Sequence, residues 1–98
     1  MSKFNDLITG EKPVLVDFYA QWCAPCKATA PIVKQVAERL GEKVVVLKVD
    51  VDKNQAIAQQ LNIQGVPTLV IYKKGSIVFR RAGVTPAHEL IAELEKHL

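Results

Sequence analysis

Two short apolar runs, Val14–Ala20 and Lys43–Val51, restrict what this chain can become more than any other feature. Each is rich in β-branched side chains and nearly unbroken, the pattern of a strand covered on both faces rather than one. Between them lies a stretch from about Cys23 to Leu40, in which Ile32, Val33, Val36, Ala37 and Leu40 recur at helical spacing. Gly41 is placed to end that helix. A strand, a long helix and a second strand make a βαβ unit, so the two strands are expected to pair in parallel through a right-handed crossover. Pro31 falls inside the helix, where it removes a hydrogen bond and is expected to kink the axis.

The rest of the chain supplies elements that can complete such a unit. Ser2–Thr9 carries Phe4, Leu7 and Ile8 at helical spacing, with Gly10 as a stop. Asn54–Leu61 reads as a short helix. Thr68–Tyr72 and Ile77–Ala82 read as strands joined by a tight Lys73-Lys74-Gly75-Ser76 hairpin. Thr85 and Pro86 are expected to cap and start a last helix, whose Ala87, Leu90, Ile91, Leu94 and Leu98 form one apolar stripe. The order α-β-α-β-α-β-β-α predicts an α/β fold, a central mixed sheet flanked by helices. At 98 residues the chain is long enough for one core, so residues 1–98 are read as a single domain.

Both cysteines sit in one pentapeptide, Trp22-Cys23-Ala24-Pro25-Cys26, between the first strand and the long helix. Positions i and i+3 of a helix place their β-carbons about 5–6 Å apart, so a small adjustment brings the two sulfurs to bonding distance. A disulfide closing so short a loop stabilises the fold by only about 2 kcal/mol in the chain-entropy account, and a chain with 49% hydrophobic residues does not depend on it. A zinc site would need two further ligands, and the only histidines, His88 and His97, belong to the last helix. A structural bridge and a chance pair of buried thiols are the other readings. The spacing fits a reversible dithiol–disulfide switch best.

The position of the motif divides the work between the two thiols. Cys23 is expected at the helix N-terminus, where unpaired N–H groups and the helix dipole favour a thiolate. Cys26, one turn further in, is expected to be more buried and to hold its proton more tightly. Cys23 then attacks a substrate disulfide and Cys26 resolves the mixed disulfide. Pro25 suits the first helical turn, where a missing N–H costs nothing. Trp22, beside the cysteines at the C-terminal edge of the sheet, reads as a surface aromatic that meets partners, with core packing as the alternative.

Two charges interrupt the apolar runs. Asp17, mid-strand, must be partnered or held protonated, and so could serve as general base for Cys26; a structural acid at a partly wet strand end is the alternative. Lys48 lies in the second run, on what should be the neighbouring strand. An ion pair with Asp17, a shared water, or a stem that carries its ammonium group out to solvent are all open. Gly65-Val66-Pro67-Thr68 precedes the third strand, and ordinary X-Pro preferences make the Val66–Pro67 bond trans.

Charge and hydropathy narrow the partners. The net charge of +3 is small and dispersed, which argues against nucleic acid. Lys73-Lys74 with Arg80-Arg81 reads as a charged hairpin that resists edge pairing. No stretch of about 18 apolar residues is present to cross a membrane, and the first residues lack the apolar core of a signal peptide. A lone CxxC in such a chain points to a reducing cytoplasm.

Asp17-Phe18-Tyr19-Ala20, Trp22-Cys23-Ala24-Pro25-Cys26-Lys27, Pro31, Gly65-Val66-Pro67-Thr68, Gly75 and Gly83 together resemble the thioredoxin family, from about residue 13 to the C-terminus. The resemblance implies a thioredoxin-like fold and a general protein disulfide reductase. It implies Cys23 as nucleophile, Cys26 as resolving thiol, Asp17 as buried acid, and a cis Pro67 facing the disulfide. Val66 would offer its backbone to an extended substrate. Trp22, Ala24, Pro25, Gly65 and Gly83 would complete a flat docking surface. It further implies a monomer with no cofactor beyond the redox-active Cys23–Cys26 pair, no metal, disulfide-containing protein substrates, and an NADPH-dependent thioredoxin reductase as electron source. Three departures stand out: Ala24 replaces the usual glycine, Tyr19 replaces a common tryptophan, and the family's first strand is absent. The sheet should then have four strands, in spatial order second, first, third, fourth, with Lys43–Val51 as an edge.

Overall fold

A computed structural model describes residues 2–98. Its elements run α1 (Ser2–Ile8), β1 (Val14–Tyr19), α2 (Ala24–Leu40), a 3₁₀ turn (Gly41–Lys43), β2 (Val45–Asp50), α3 (Gln55–Gln60), β3 (Thr68–Lys73), β4 (Ser76–Ala82) and α4 (Ala87–Glu95). The strands form one sheet in the order β2-β1-β3-β4. β1 and β2 are parallel, and the other two pairings are antiparallel.

The unbroken apolar runs follow from burial on two sides. On one face Leu15, Leu69 and Ile71 pack with Val33, Val36 and Leu40 of α2 and with Leu90 and Leu94 of α4. On the other, Val14, Val16, Phe18 and Val70 pack with Ile8 of α1 and Ile57 of α3. β1 and β3 are therefore covered along both faces, which is why most of their successive residues are apolar.

Local signals set the element ends. Gly41 has φ +54 and donates its N–H to the Ala37 carbonyl, ending α2. The β3–β4 turn is only Lys74-Gly75, both at positive φ, as a two-residue hairpin with right-handed strand twist demands. α2 runs unbroken through Pro31. One expectation needs correction: Thr85 does not cap α4. Pro86 occupies the capping position and its carbonyl accepts the Glu89 and Leu90 N–H groups, while Thr85 is buried with its hydroxyl unpartnered among the described residues. A proline ring supplies the backbone angle that the helix entry needs, so the cap moves one residue on.

β2 lies at the edge of the sheet, and among the described residues no strand lies on its outer side. The Val45 N–H donates to the Pro13 carbonyl at 3.0 Å and the Val51 N–H to the Tyr19 carbonyl at 2.9 Å. Alternation along the strand points Leu47 and Val49 the same way and turns the Val46 and Lys48 amides outward. Those two amides are expected to exchange with solvent far faster than those of Val45, Leu47, Val49 and all of β1, as hydrogen exchange followed by NMR would read. Uniform protection along β2 would mean that something covers this edge.

Candidate functional site

The site forms where β1 hands over to α2. The chain leaves the sheet at Tyr19 and turns, the Cys23 N–H donating to the Ala20 carbonyl, and α2 begins at Ala24. Cys23 is the capping residue, with extended backbone (φ −92, ψ 110), and its Sγ accepts the Cys26 N–H at 3.2 Å. The two sulfurs are joined in a disulfide, with Cα atoms 5.3 Å apart. An N–H aimed at the sulfur is what stabilises a thiolate there once the bridge opens. Pro25 lies in the first turn, where a backbone N–H would have no helical acceptor and its absence costs nothing, while its carbonyl accepts the Thr29 hydroxyl at 3.4 Å.

The expected difference in access between the thiols is absent from this disulfide state. Cys23 is 3% exposed and Cys26 is 6% exposed, so the capping residue is no more open than the inner one. Cys23 is sheltered because it packs with Ala20, Cys26 and Val66. The asymmetry between the thiols is therefore electrostatic. It rests on the N–H that only Cys23 receives.

Facing the disulfide is the loop before β3. The Val66–Pro67 bond is cis, against the ordinary preference of an X-Pro bond and as the family resemblance implies. The Val66 carbonyl oxygen lies 3.6 Å from Cys23 Sγ. Two hydrogen bonds fix this loop: the Thr68 hydroxyl donates to the Gly65 carbonyl at 2.6 Å, and the Gly83 N–H donates to the Pro67 carbonyl at 2.8 Å. Gly83 makes that bond at φ +96, a conformation that side chains disfavour. Ala24, Pro25, Gly65 and Gly83 are exposed, Val66 is half-buried and Pro67 is buried.

Trp22 is a surface residue, 72% exposed. Its indole N–H donates to Asp52 Oδ2 at 2.9 Å. Asp52 is placed by the buried Asp50, whose Oδ1 accepts the Asp52 N–H at 2.9 Å and the Lys53 N–H at 3.3 Å. Sequence reasoning passed over both aspartates. The signal available was Asp50-Val51-Asp52-Lys53-Asn54, a cluster of turn-forming side chains directly after a strand. Val84, exposed beside Gly83, extends the apolar surface and was also missed.

Asp17 and Lys48 are register partners on β1 and β2. Both line a cavity of about 160 Å³ together with Tyr19 and Cys26. Asp17 is 1% exposed, and its Oδ1 has no hydrogen-bond partner among the described residues. Burial pushes its pKa above the usual carboxylate range, and the Lys48 charge pulls only part of the way back. No ion pair joins them. The Lys48 ammonium lies over the Tyr19 ring, 5.0 Å from its centroid, and the residue is exposed. The ion-pair reading is thus corrected: the long stem carries the charge outward, where an aromatic face and water hold it. The cavity leaves room for a water between Asp17 and Cys26.

This arrangement has relatives. The sequence profile of the thioredoxin family matches residues 1–96. A thioredoxin-like protein of Synechocystis sp. is 48% identical over 95 residues, covering 96% of this chain and 90% of that protein. The chloroplastic thioredoxin Y of rice is 45% identical over 98 residues; this chain spans 58% of its length. Among solved structures, the N21Q mutant thioredoxin of Halobacterium salinarum NRC-1 superposes with a TM-score of 0.89 at 36% identity, covering 99% of this chain and 84% of that one.

Proposed function

This chain belongs to the thioredoxin family and is a protein-disulfide oxidoreductase, and we propose that it works as a general protein disulfide reductase. The observation that carries this reading is the Cys23–Cys26 bridge at the head of α2, with one sulfur held by a backbone N–H. In the reduced protein that N–H stabilises the Cys23 thiolate. The thiolate attacks one sulfur of a substrate disulfide, forms a mixed disulfide and releases the other sulfur as a thiolate, which takes a proton from solvent. Asp17 then accepts the Cys26 proton through the small cavity they share. The Cys26 thiolate attacks Cys23 Sγ, the mixed disulfide breaks, and the second substrate sulfur leaves as a thiolate, which is protonated as Asp17 gives up the proton it took. Two electrons pass to the substrate, and the Cys23–Cys26 disulfide remains.

Substrate would lie across Trp22, Ala24, Pro25, Gly65, Val66 and Gly83, its extended backbone beside Val66. The exposure of Trp22 and of the loop around Pro67 supports this. Lys48 acts on Asp17 by charge alone, holding its pKa lower than burial would leave it. A thioredoxin reductase drawing on NADPH restores the dithiol, and the setting is the cytoplasm, where thiols are kept reduced.

The test is an insulin-reduction assay with dithiothreitol, paired with equilibration of the Cys23–Cys26 couple against a glutathione series. Catalysed insulin precipitation and a couple more reducing than glutathione are expected. A couple more oxidising than glutathione would make the protein an oxidant or isomerase, and absent catalysis would make it a binding module.

A further inference from the structure

We propose that the outer edge of β2 is a docking site for an extended segment of a partner protein, apolar at its centre and flanked by carboxylates. The Val46 and Lys48 N–H and C=O groups face outward there, with no strand beside them among the described residues. A strand added at the usual spacing of about 4.8 Å would send alternate side chains to opposite faces of the sheet.

Each face has a place for them. On the α2 side a cavity of about 550 Å³ is lined by Ala30, Pro31, Val33 and Val46, and on the α1 side one of about 230 Å³ is lined by Phe4, Leu7, Leu47 and Ile57. An isolated lysine on an edge strand would only discourage pairing. Here Lys48 stands between two apolar cavities, which supply the side-chain sites that strand addition uses.

Charge selects the occupant. The charged residues lining the two cavities are Lys3, Lys34 and Lys48, with no carboxylate among them. A second copy of this chain would bring these lysines against their own counterparts, a like-charge contact that opposes self-pairing. A segment with acidic residues on either side of an apolar centre meets them with opposite charge. This site uses backbone groups that take no part in disulfide exchange, so its test is read without turnover.

The probe is a short acetylated peptide of consecutive valines and isoleucines flanked at each end by a pair of glutamates. Its counterpart carries lysines in place of the glutamates. The glutamate peptide is expected to slow amide exchange at Val46 and Lys48 by about tenfold or more and to leave β1 unchanged. The lysine peptide is expected to slow exchange at neither residue and also to leave β1 unchanged. Lys34→Glu should weaken the first effect and strengthen binding of the lysine peptide, with insulin reduction unaltered. Val46→Pro removes one outward N–H without touching the β1 ladder and should abolish the protection. If that variant fails to fold, the charge reversal at Lys34 still decides.

Equal protection by both peptides, or none by either, would overturn the proposal. So would Val46 and Lys48 amides already protected in the free monomer. A concentration-dependent dimer that protects them without peptide would replace the partner with a second copy and equally overturn it.

Discussion

Cys26→Ser is expected to stop catalytic reduction of insulin and to leave the protein covalently joined to its substrates through Cys23. The mixed disulfide forms because the Cys23 sulfur keeps the N–H that stabilises its thiolate. It then persists because no thiol remains within reach to break it. The sulfur that would do so belongs to the residue whose Cα lies 5.3 Å from that of Cys23, and these are the only two cysteines of the chain. Cys23→Ser, in contrast, should lose turnover and trap nothing. Non-reducing electrophoresis against reduced controls reads both results. The same asymmetry should appear in brief alkylation of the reduced wild type at pH 7. Cys23 is expected to label first, since each unit by which its pKa falls below that of Cys26 raises its thiolate fraction about tenfold. Trapping through Cys26, or equal labelling, would reverse or erase the roles. In the disulfide form both residues are buried, so their exposure there gives Cys23 no advantage.

Asp17→Asn is expected to stabilise the protein at pH 7 and to slow it. The folded pKa of Asp17 is raised, first by desolvation, with Lys48 opposing. The unfolded value is about 3.9. Between that value and the folded one, the native state binds more protons than the unfolded state. The contribution of Asp17 to stability is therefore complete below the unfolded pKa and is lost as pH rises through the folded pKa. At pH 7 the unfolded chain carries this carboxyl ionised, whereas burial penalises the charge in the fold. Asp17 is thus a net cost, with one oxygen unpartnered among the described residues. Removing its charge should raise the unfolding free energy by on the order of 1–3 kcal/mol, the scale of an unsatisfied buried polar group. Denaturant melts should show this gain at pH 7 and its disappearance below about pH 4. The mutant also lacks a base for Cys26, so resolution of the mixed disulfide should slow by on the order of 100-fold. Single-turnover reduction of a model disulfide measures that step. A variant less stable at pH 7 and equally fast would leave Asp17 a structural acid only.

Pattern alone carried the framework. β1 and β3 are buried on both faces, so their residues had to be apolar in succession, and such runs are visible without coordinates. The parallel pairing followed from the length of α2, and with it the juxtaposition of Asp17 and Lys48. The Cys23-Ala24-Pro25-Cys26 spacing and its place after a buried strand were local facts as well. What tertiary structure decided were contacts and states whose energies depend on partners distant in sequence. The Trp22–Asp52 hydrogen bond joins residues 30 positions apart, and no periodicity marks either end. The cis form of Val66–Pro67 runs against a bias of only about 0.5–1 kcal/mol, small enough for surrounding contacts to outweigh. Lys48 turned from Asp17 to the Tyr19 ring because a long stem can reach water, which a buried carboxylate cannot offer. The equal burial of Cys23 and Cys26 arose in the same way, from Val66, brought beside them only when the chain folds.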